Sequence, residues 1–111
     1  MSENKRLLAR YDAAVQNYAR LLAKAIETGE TGNMGYDLIE ASVSVDQMRD
    51  LVLPYAEAWM LEYIGASTNL IRALAALANG DSGKAETAGK CVTAYEALRS
   101  RHFTAEDLAS V

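Results

Sequence analysis

The stretch Asn79-Gly80-Asp81-Ser82-Gly83-Lys84-Ala85-Glu86 holds the most chemically suggestive residues of the sequence. Gly-Asp-Ser-Gly surrounds the nucleophilic serine of chymotrypsin-like proteases, so the first question is whether Ser82 attacks a carbonyl. Such a serine needs a histidine to take its proton and an aspartate to orient that histidine, on a β-barrel. The sequence has one histidine, His102. It lies at the far end of the amphipathic run Ala85, Ala88, Cys91, Val92, Tyr95, Leu98, and no strand pattern surrounds it. The tetrapeptide follows a helix stop at Asn79-Gly80 and precedes the next helix, where Asp81 or Ser82 is placed to act as N-cap. We read it as a helix–helix turn.

Other reactive groups are equally isolated. One His and one Cys cannot build an ordinary zinc site, and the paired Glu-x-x-His motifs of a di-iron bundle are missing. Glu57 and Glu62 are five residues apart, about 140° around a helix, so they do not converge as an acid–base pair. Lys24, Lys84 and Lys90 have no context that would make one a Schiff-base lysine. His102, in Arg-Ser-Arg-His-Phe, reads with Arg99 and Arg101 as a positive cluster complementing a helix C-terminus. Cys91 falls on an apolar stripe and reads as a small buried hydrophobe. The Gly-rich stretch 29–35 lacks the Lys-Ser/Thr of a phosphate-binding loop and reads as a connection between helices. We expect no catalytic, cofactor-binding or metal-binding residue, and no enzyme.

Composition points to helices. Of 111 residues, 50% are hydrophobic and one is proline, with Ala and Leu abundant. This is the size of one domain. Leu8, Tyr11, Val15, Tyr18, Leu22 and Ile26 recur at spacings of three and four, which predicts a helix from Asn4 to Thr28 closed by Gly29. A short helix is predicted over 36–43, then a capping box at Ser44-Val45-Asp46-Gln47. The longest segment, 45–79, carries two stripes. One is Met48, Val52, Tyr55, Trp59, Tyr63, Leu70, Leu74 and Leu77; the other is Leu51, Ala58, Leu61, Ile64, Ile71 and Ala78. Pro54 should bend or break it, or start a new helix; Gly65 to Asn69 is a second weak point. Whether 36–43 and 45–79 are one helix or several stays open. Thr104 to Asp107 resembles a cap for a tail helix over 105–110.

Charge narrows the function. The net charge is −4. Residues 1–28 carry five basic groups (Lys5, Arg6, Arg10, Arg20, Lys24), whereas residues 34–64 carry six acids against Arg49 alone. No concentrated basic face offers itself to phosphates, so no direct nucleic-acid binding is expected. Glu62, Asn69 and Arg72 interrupt the apolar run from Met60 to Ala78, which argues against a membrane span. One cysteine and no apolar leader fit a reducing, cytoplasmic setting.

These features predict one all-α domain over 1–111, an irregular antiparallel bundle of four or five helices. A helix apolar on two faces is either central to a bundle or covered by another chain, and we expect a homodimer. Tyr and Trp suit surfaces that are soluble alone and dry when bound. The stripe Leu8, Tyr11, Val15, Tyr18, Leu22 is therefore the expected partner interface. Met60, Tyr63, Ile64 and Ile71 are the expected dimer or second interface. The same periodicity fits a core.

The start "MSENKRLLARYDAAVQNYARLL", the acidic aromatic centre "LPYAEAWMLEYIGAS", the length and the lack of chemistry together resemble the QslA-type quorum-sensing antiactivators. That resemblance implies a small helical dimer that binds a LuxR-type transcription factor, LasR, and blocks its dimerisation or DNA binding. A secretion chaperone or immunity-type binding protein fits the same composition. So does a small-molecule-binding protein with a pocket near Trp59 and Tyr63.

Overall fold

The computed structural model describes residues 2–29 and 35–110. The described chain is all-helical: α1 (Glu3–Thr28), α2 (Gly35–Val52), α3 (Ala58–Ala78), α4 (Ala85–His102) and α5 (Ala105–Ala109), with 3-10 turns at Leu53–Tyr55 and Ser82–Lys84. Residues 30–34 of the Gly-rich connection lie outside the described residues.

Each boundary has a local cause. Ser2 caps α1, its Oγ accepting from the Lys5 amide at 3.1 Å. Gly29 ends the helix at φ 70°, its N–H bonding Ala25 O at 2.8 Å. A residue with a Cβ is strained there, which is why a glycine follows the last apolar position. Gly80 closes α3 in the same way at φ 96°. Gly80 N–H bonds Leu77 O and Asp81 N–H bonds Ala76 O, both at 3.0 Å, so two otherwise orphaned carbonyls are satisfied. Thr104 caps α5 reciprocally: Thr104 Oγ1 accepts the Asp107 amide and Asp107 Oδ2 accepts the Thr104 amide, each at 3.0 Å.

The helices alternate in direction. Asn4 reaches Glu57, and Tyr11 reaches Ser67. Numbers rise together, so α1 and α3 run parallel. Trp59 meets His102 and Tyr63 meets Tyr95, so α4 runs back along α3. Asn17 and Leu21 lie beside Asp37 to Ser44, while Asn4 and Leu7 lie beside Leu51 and Tyr55, so α2 runs back along α1. The antiparallel bundle expected from the sequence is therefore found, with α1, α3 and α4 around the core and α2 packed mainly on α1.

Three local expectations are corrected, and the break expected at Pro54 is found. Helix α2 runs through Ser44 to Val52 without a break, so 36–43 is not a separate helix and the Ser44–Gln47 box does not form. Ala41, Val45, Met48 and Val52 keep one face turned inward across that point, and packing overrides the polar cue. Segment 45–79 is divided at Pro54, whose 3-10 turn separates α2 from α3. Gly65 to Asn69 makes no break: α3 runs through it, with the Ser67 and Thr68 hydroxyls both bonding Ile64 O at 2.8 Å on their own helix. Neither Asp81 nor Ser82 caps α4: the chain makes a 3-10 turn over 82–84 first, and α4 begins after Lys84 without a side-chain cap.

The uneven packing has a dynamic consequence. Helix α2 buries only Ala41, Val45 and Val52, and mainly against one neighbour. Segments with few buried apolar contacts open most readily. Amide exchange at Tyr36 to Val43 should be at least about ten-fold faster than at the centres of α1 and α3. Equal protection across the four helices, measured by mass spectrometry, would contradict this packing account.

Candidate functional site: a polar core and an exposed apolar helix face

The residues expected to meet partners mostly form the core. Leu8, Tyr11, Val15 and Leu22 are buried, as are Met60, Tyr63 and Ile64; Tyr18 and Ile71 are half-buried and pack against the same cluster. Tyr11 meets α3 and Tyr18 lies against α2, while Tyr63 lies between α1 and α4. Of the two-faced segment, the stripe through Tyr63 and Leu70 is largely covered, whereas Leu51, Ala58 and Leu61 of the other stripe are exposed. None of the residues expected at the two interfaces is exposed.

A polar cluster that the stripe reading passed over sits among these residues. Asp12 of α1 is buried. Tyr63 of α3 and Tyr95 of α4 both donate their hydroxyls to Asp12 Oδ1. Arg99 Nε donates to Asp12 Oδ2 at 3.0 Å. Gln16 Nε2 donates to the Tyr95 hydroxyl oxygen at 3.2 Å. Nearby, Ser67 spends its one proton on Ile64 O, so Tyr11 must be the donor in its 2.6 Å bond to Ser67 Oγ. The signal was present in the sequence: Asp12 is four residues after Leu8 and three before Val15, within the apolar stripe rather than beside it.

Asp12 accepts from three donors and its side chain is 2% exposed. It lies at the base of a hollow of about 550 Å³ that Gln16, Arg20 and Arg99 also line. Burial, then the charges around them, push the Tyr63 and Tyr95 hydroxyls well above the ordinary phenol range. Both stay protonated as donors. Arg99, read from sequence as a helix-dipole residue, is the counter-ion of this carboxylate.

The other candidates are dispersed. Ser82 is exposed and His102 stands at the opposite end of α4, about 27 Å away by helical rise. His102 stacks on Trp59 with centroids 4.5 Å apart, and Trp59 Nε1 donates to Glu57 Oε2 at 3.2 Å. His102 and Phe103 thus lie against Trp59 and Tyr63, the pair near which a ligand pocket was an alternative. Cys91 is free and half-buried. Among the described residues, no three His, Cys, Asp or Glu side chains are grouped to hold a metal ion, and no helix is long and apolar enough to cross a membrane.

The surface feature that needs explaining is on α2. Tyr36 (79% exposed), Ile39 (66%), Val43 (46%) and Leu51 (56%) line its outer face, and Tyr55 (61%) continues it past the Pro54 turn. Successive residues turn by about 100°, which puts Tyr36, Val43 and Gln47 on one meridian opposite the buried Val45 and Val52. A shallow hollow of about 230 Å³ between Tyr18, Leu38, Ile39, Ser42 and Val43 lies at one end. Another of about 400 Å³, between Glu3, Asn4, Leu7, Leu51 and Tyr55, lies at the other. Sequence reading missed this face because Glu40 and Asp50 interrupt its apolar residues and no tidy stripe results. No family model, no curated protein and no solved structure matches the chain.

Two predictions concern the core. Asp12→Ala leaves two buried hydroxyls and a guanidinium without their acceptor. It should lower stability by about 3–5 kcal/mol, the usual effect of breaking a buried pair from one side; a loss under about 1 kcal/mol by denaturant titration would show the cluster to be incidental. The second is a pH dependence. The folded state holds the Tyr63 and Tyr95 protons more tightly than the unfolded chain, whose phenols titrate near 10. Their contribution is complete below about pH 10 and is lost as pH rises above it. Melting temperature should fall from about pH 10 upward, and the tyrosinate absorbance of these two residues should develop only with unfolding. The double variant Tyr63→Phe/Tyr95→Phe should lose this component; an unchanged alkaline slope would contradict the assignment.

Proposed function

We propose that the chain is a partner-binding regulatory protein that docks through the outer face of α2. The observation that carries this reading is the row of large apolar side chains from Tyr36 to Tyr55, left uncovered on a helix with one main neighbour. A cluster of large exposed apolar side chains on one face of a small protein marks a candidate interaction site. Hollows at both ends of the row suit anchors from a partner helix. The charged groups of the core are engaged with one another, which leaves the surface as the place for function. The resemblance to QslA-type antiactivators supplies the finer reading: the partner is a LuxR-type transcription factor such as LasR, kept from dimerising or binding DNA. A chaperone or immunity role would use the same face on a different client.

The test is a pair of substitutions on exposed positions. Ile39→Asp/Val43→Asp should retain the helical circular dichroism and the melting temperature, because neither side chain is in the core. Binding to a purified LuxR-type activator, followed by calorimetry, should weaken by about 2 kcal/mol or more if these are anchors. Undiminished binding by the folded variant would sink the assignment of the face. An activator that the unmodified chain does not bind would sink the antiactivator reading alone.

A further inference from the structure

Resting on the reading of α2 as the docking face, we infer that its occupant is a basic amphipathic helix of another protein, one that sets lysines or arginines among its apolar anchors. The inference comes from how charge is distributed on the face. On the helical wheel Glu40 and Asp50 lie within about 40° of the apolar meridian, one on either side, and Asp37 and Asp46 mark its edges. Whatever covers Tyr36, Ile39, Val43 and Leu51 therefore also covers carboxylates. Among the described residues no cation stands within ion-pair distance of Asp37, Glu40 or Asp50. Arg49 turns back: its Nη1 bonds Asp46 at 2.9 Å and its Nε is buried. Burying unpaired carboxylates against an apolar or acidic partner is strongly unfavourable, so the partner must bring the cations.

Geometry supplies the rest. The face is the length of α2, about 27 Å, which matches one helix of five turns. The two hollows are about 12–18 Å apart along the axis and lie on opposite flanks of α2, so one partner helix reaches both only by crossing α2 obliquely. A second copy of this chain fits poorly. Pairing α2 with its symmetry mate sets acids on acids with Arg49 already engaged. Pairing α2 with the outer face of α1 finds exposed Arg6, Arg10, Arg20 and Lys24, but only Ala13, Gln16, Asn17 and Ala23 between them. Those side chains are too small or polar to fill the hollows. Anionic membranes and nucleic acids are repelled by the same carboxylates.

The experiment uses the full chain and two labelled synthetic helices of one apolar pattern, one with Lys and one with Glu at the flanking positions. Fluorescence anisotropy should show binding of the Leu/Lys helix alone, weakening with added salt. Glu40→Lys/Asp50→Lys and Ile39→Asp/Val43→Asp should each weaken that binding by about ten-fold or more, by the electrostatic and the apolar component respectively. The control Glu62→Lys/Glu96→Lys makes the same change of net charge on α3 and α4 and should shift it less than about two-fold, as expected when pairing is local. Equal weakening by the control would reduce the effect to overall charge and overturn the inference. So would equal binding of the Leu/Glu helix. A dimer in sedimentation equilibrium that Val43→Asp dissociates would assign the face to a second copy. Activator binding that Ile39→Asp/Val43→Asp abolishes but Glu40→Lys/Asp50→Lys leaves unchanged would keep the docking face and overturn its basic occupant.

Discussion

The bundle depends on one buried carboxylate. Asp12 on α1 accepts hydroxyls from Tyr63 on α3 and Tyr95 on α4, and the guanidinium of Arg99 from α4. Apolar packing fixes which faces of these three helices meet but tolerates small axial shifts, because cores of Leu, Val and Met repack at modest cost. A carboxylate out of water tolerates none of those shifts, since each would strand a charge or a hydroxyl. The ring contacts fit the same register: Tyr63 stands edge-on to Tyr95 and to Phe103, with centroids 5.5 and 5.7 Å apart. Lys5 carries the register to the tail, bonding Asp107 at 3.0 Å and lying over the Phe103 ring.

Helix α2 lies outside this constraint. No side chain of α2 joins the Asp12 cluster, and its inner face is short residues against α1. Its position is set by apolar packing, mainly on α1, without the buried charge that ties α1, α3 and α4 together. The apolar residues on its outer face are also not needed by the core, which is complete without them. Stability and surface chemistry are carried by different helices. A change at Tyr36 or Ile39 leaves the Asp12 network untouched, whereas a change at Tyr63 or Tyr95 acts on the register of the whole fold.

Periodicity made the helices legible, and glycine and proline made their ends legible. Gly29, Pro54, Gly80 and Thr104 each act where the sequence places them, because a positive φ, a missing amide or a reciprocal cap is a local property. Ser44 and Ser82 misled for the opposite reason. A hydroxyl before an amphipathic run permits a cap but does not force one, and packing of Ala41, Val45 and Val52 carried α2 through Ser44. The site was less legible than the fold. The Tyr11 and Tyr63 stripes look alike whether they face a neighbour helix or a partner protein, since both are dry surfaces with a period of about 3.6 residues.

What does separate a buried stripe from an exposed one here is the kind of polar residue it contains. The stripe of α1 contains Asp12, and the structure surrounds it with two hydroxyls and a guanidinium from elements distant in sequence. The face of α2 contains Glu40 and Asp50, and among the described residues no cation pairs with them. An acid inside an apolar stripe must either find its donors in the same fold or remain in water until another molecule brings them. Asp12 follows the first course and Glu40 and Asp50 the second. These carboxylates therefore constrain the proposed partner more than the apolar residues beside them do. Apolar surface accepts any dry covering, whereas a carboxylate that is to be buried requires a cation or a hydrogen-bond donor of matching placement.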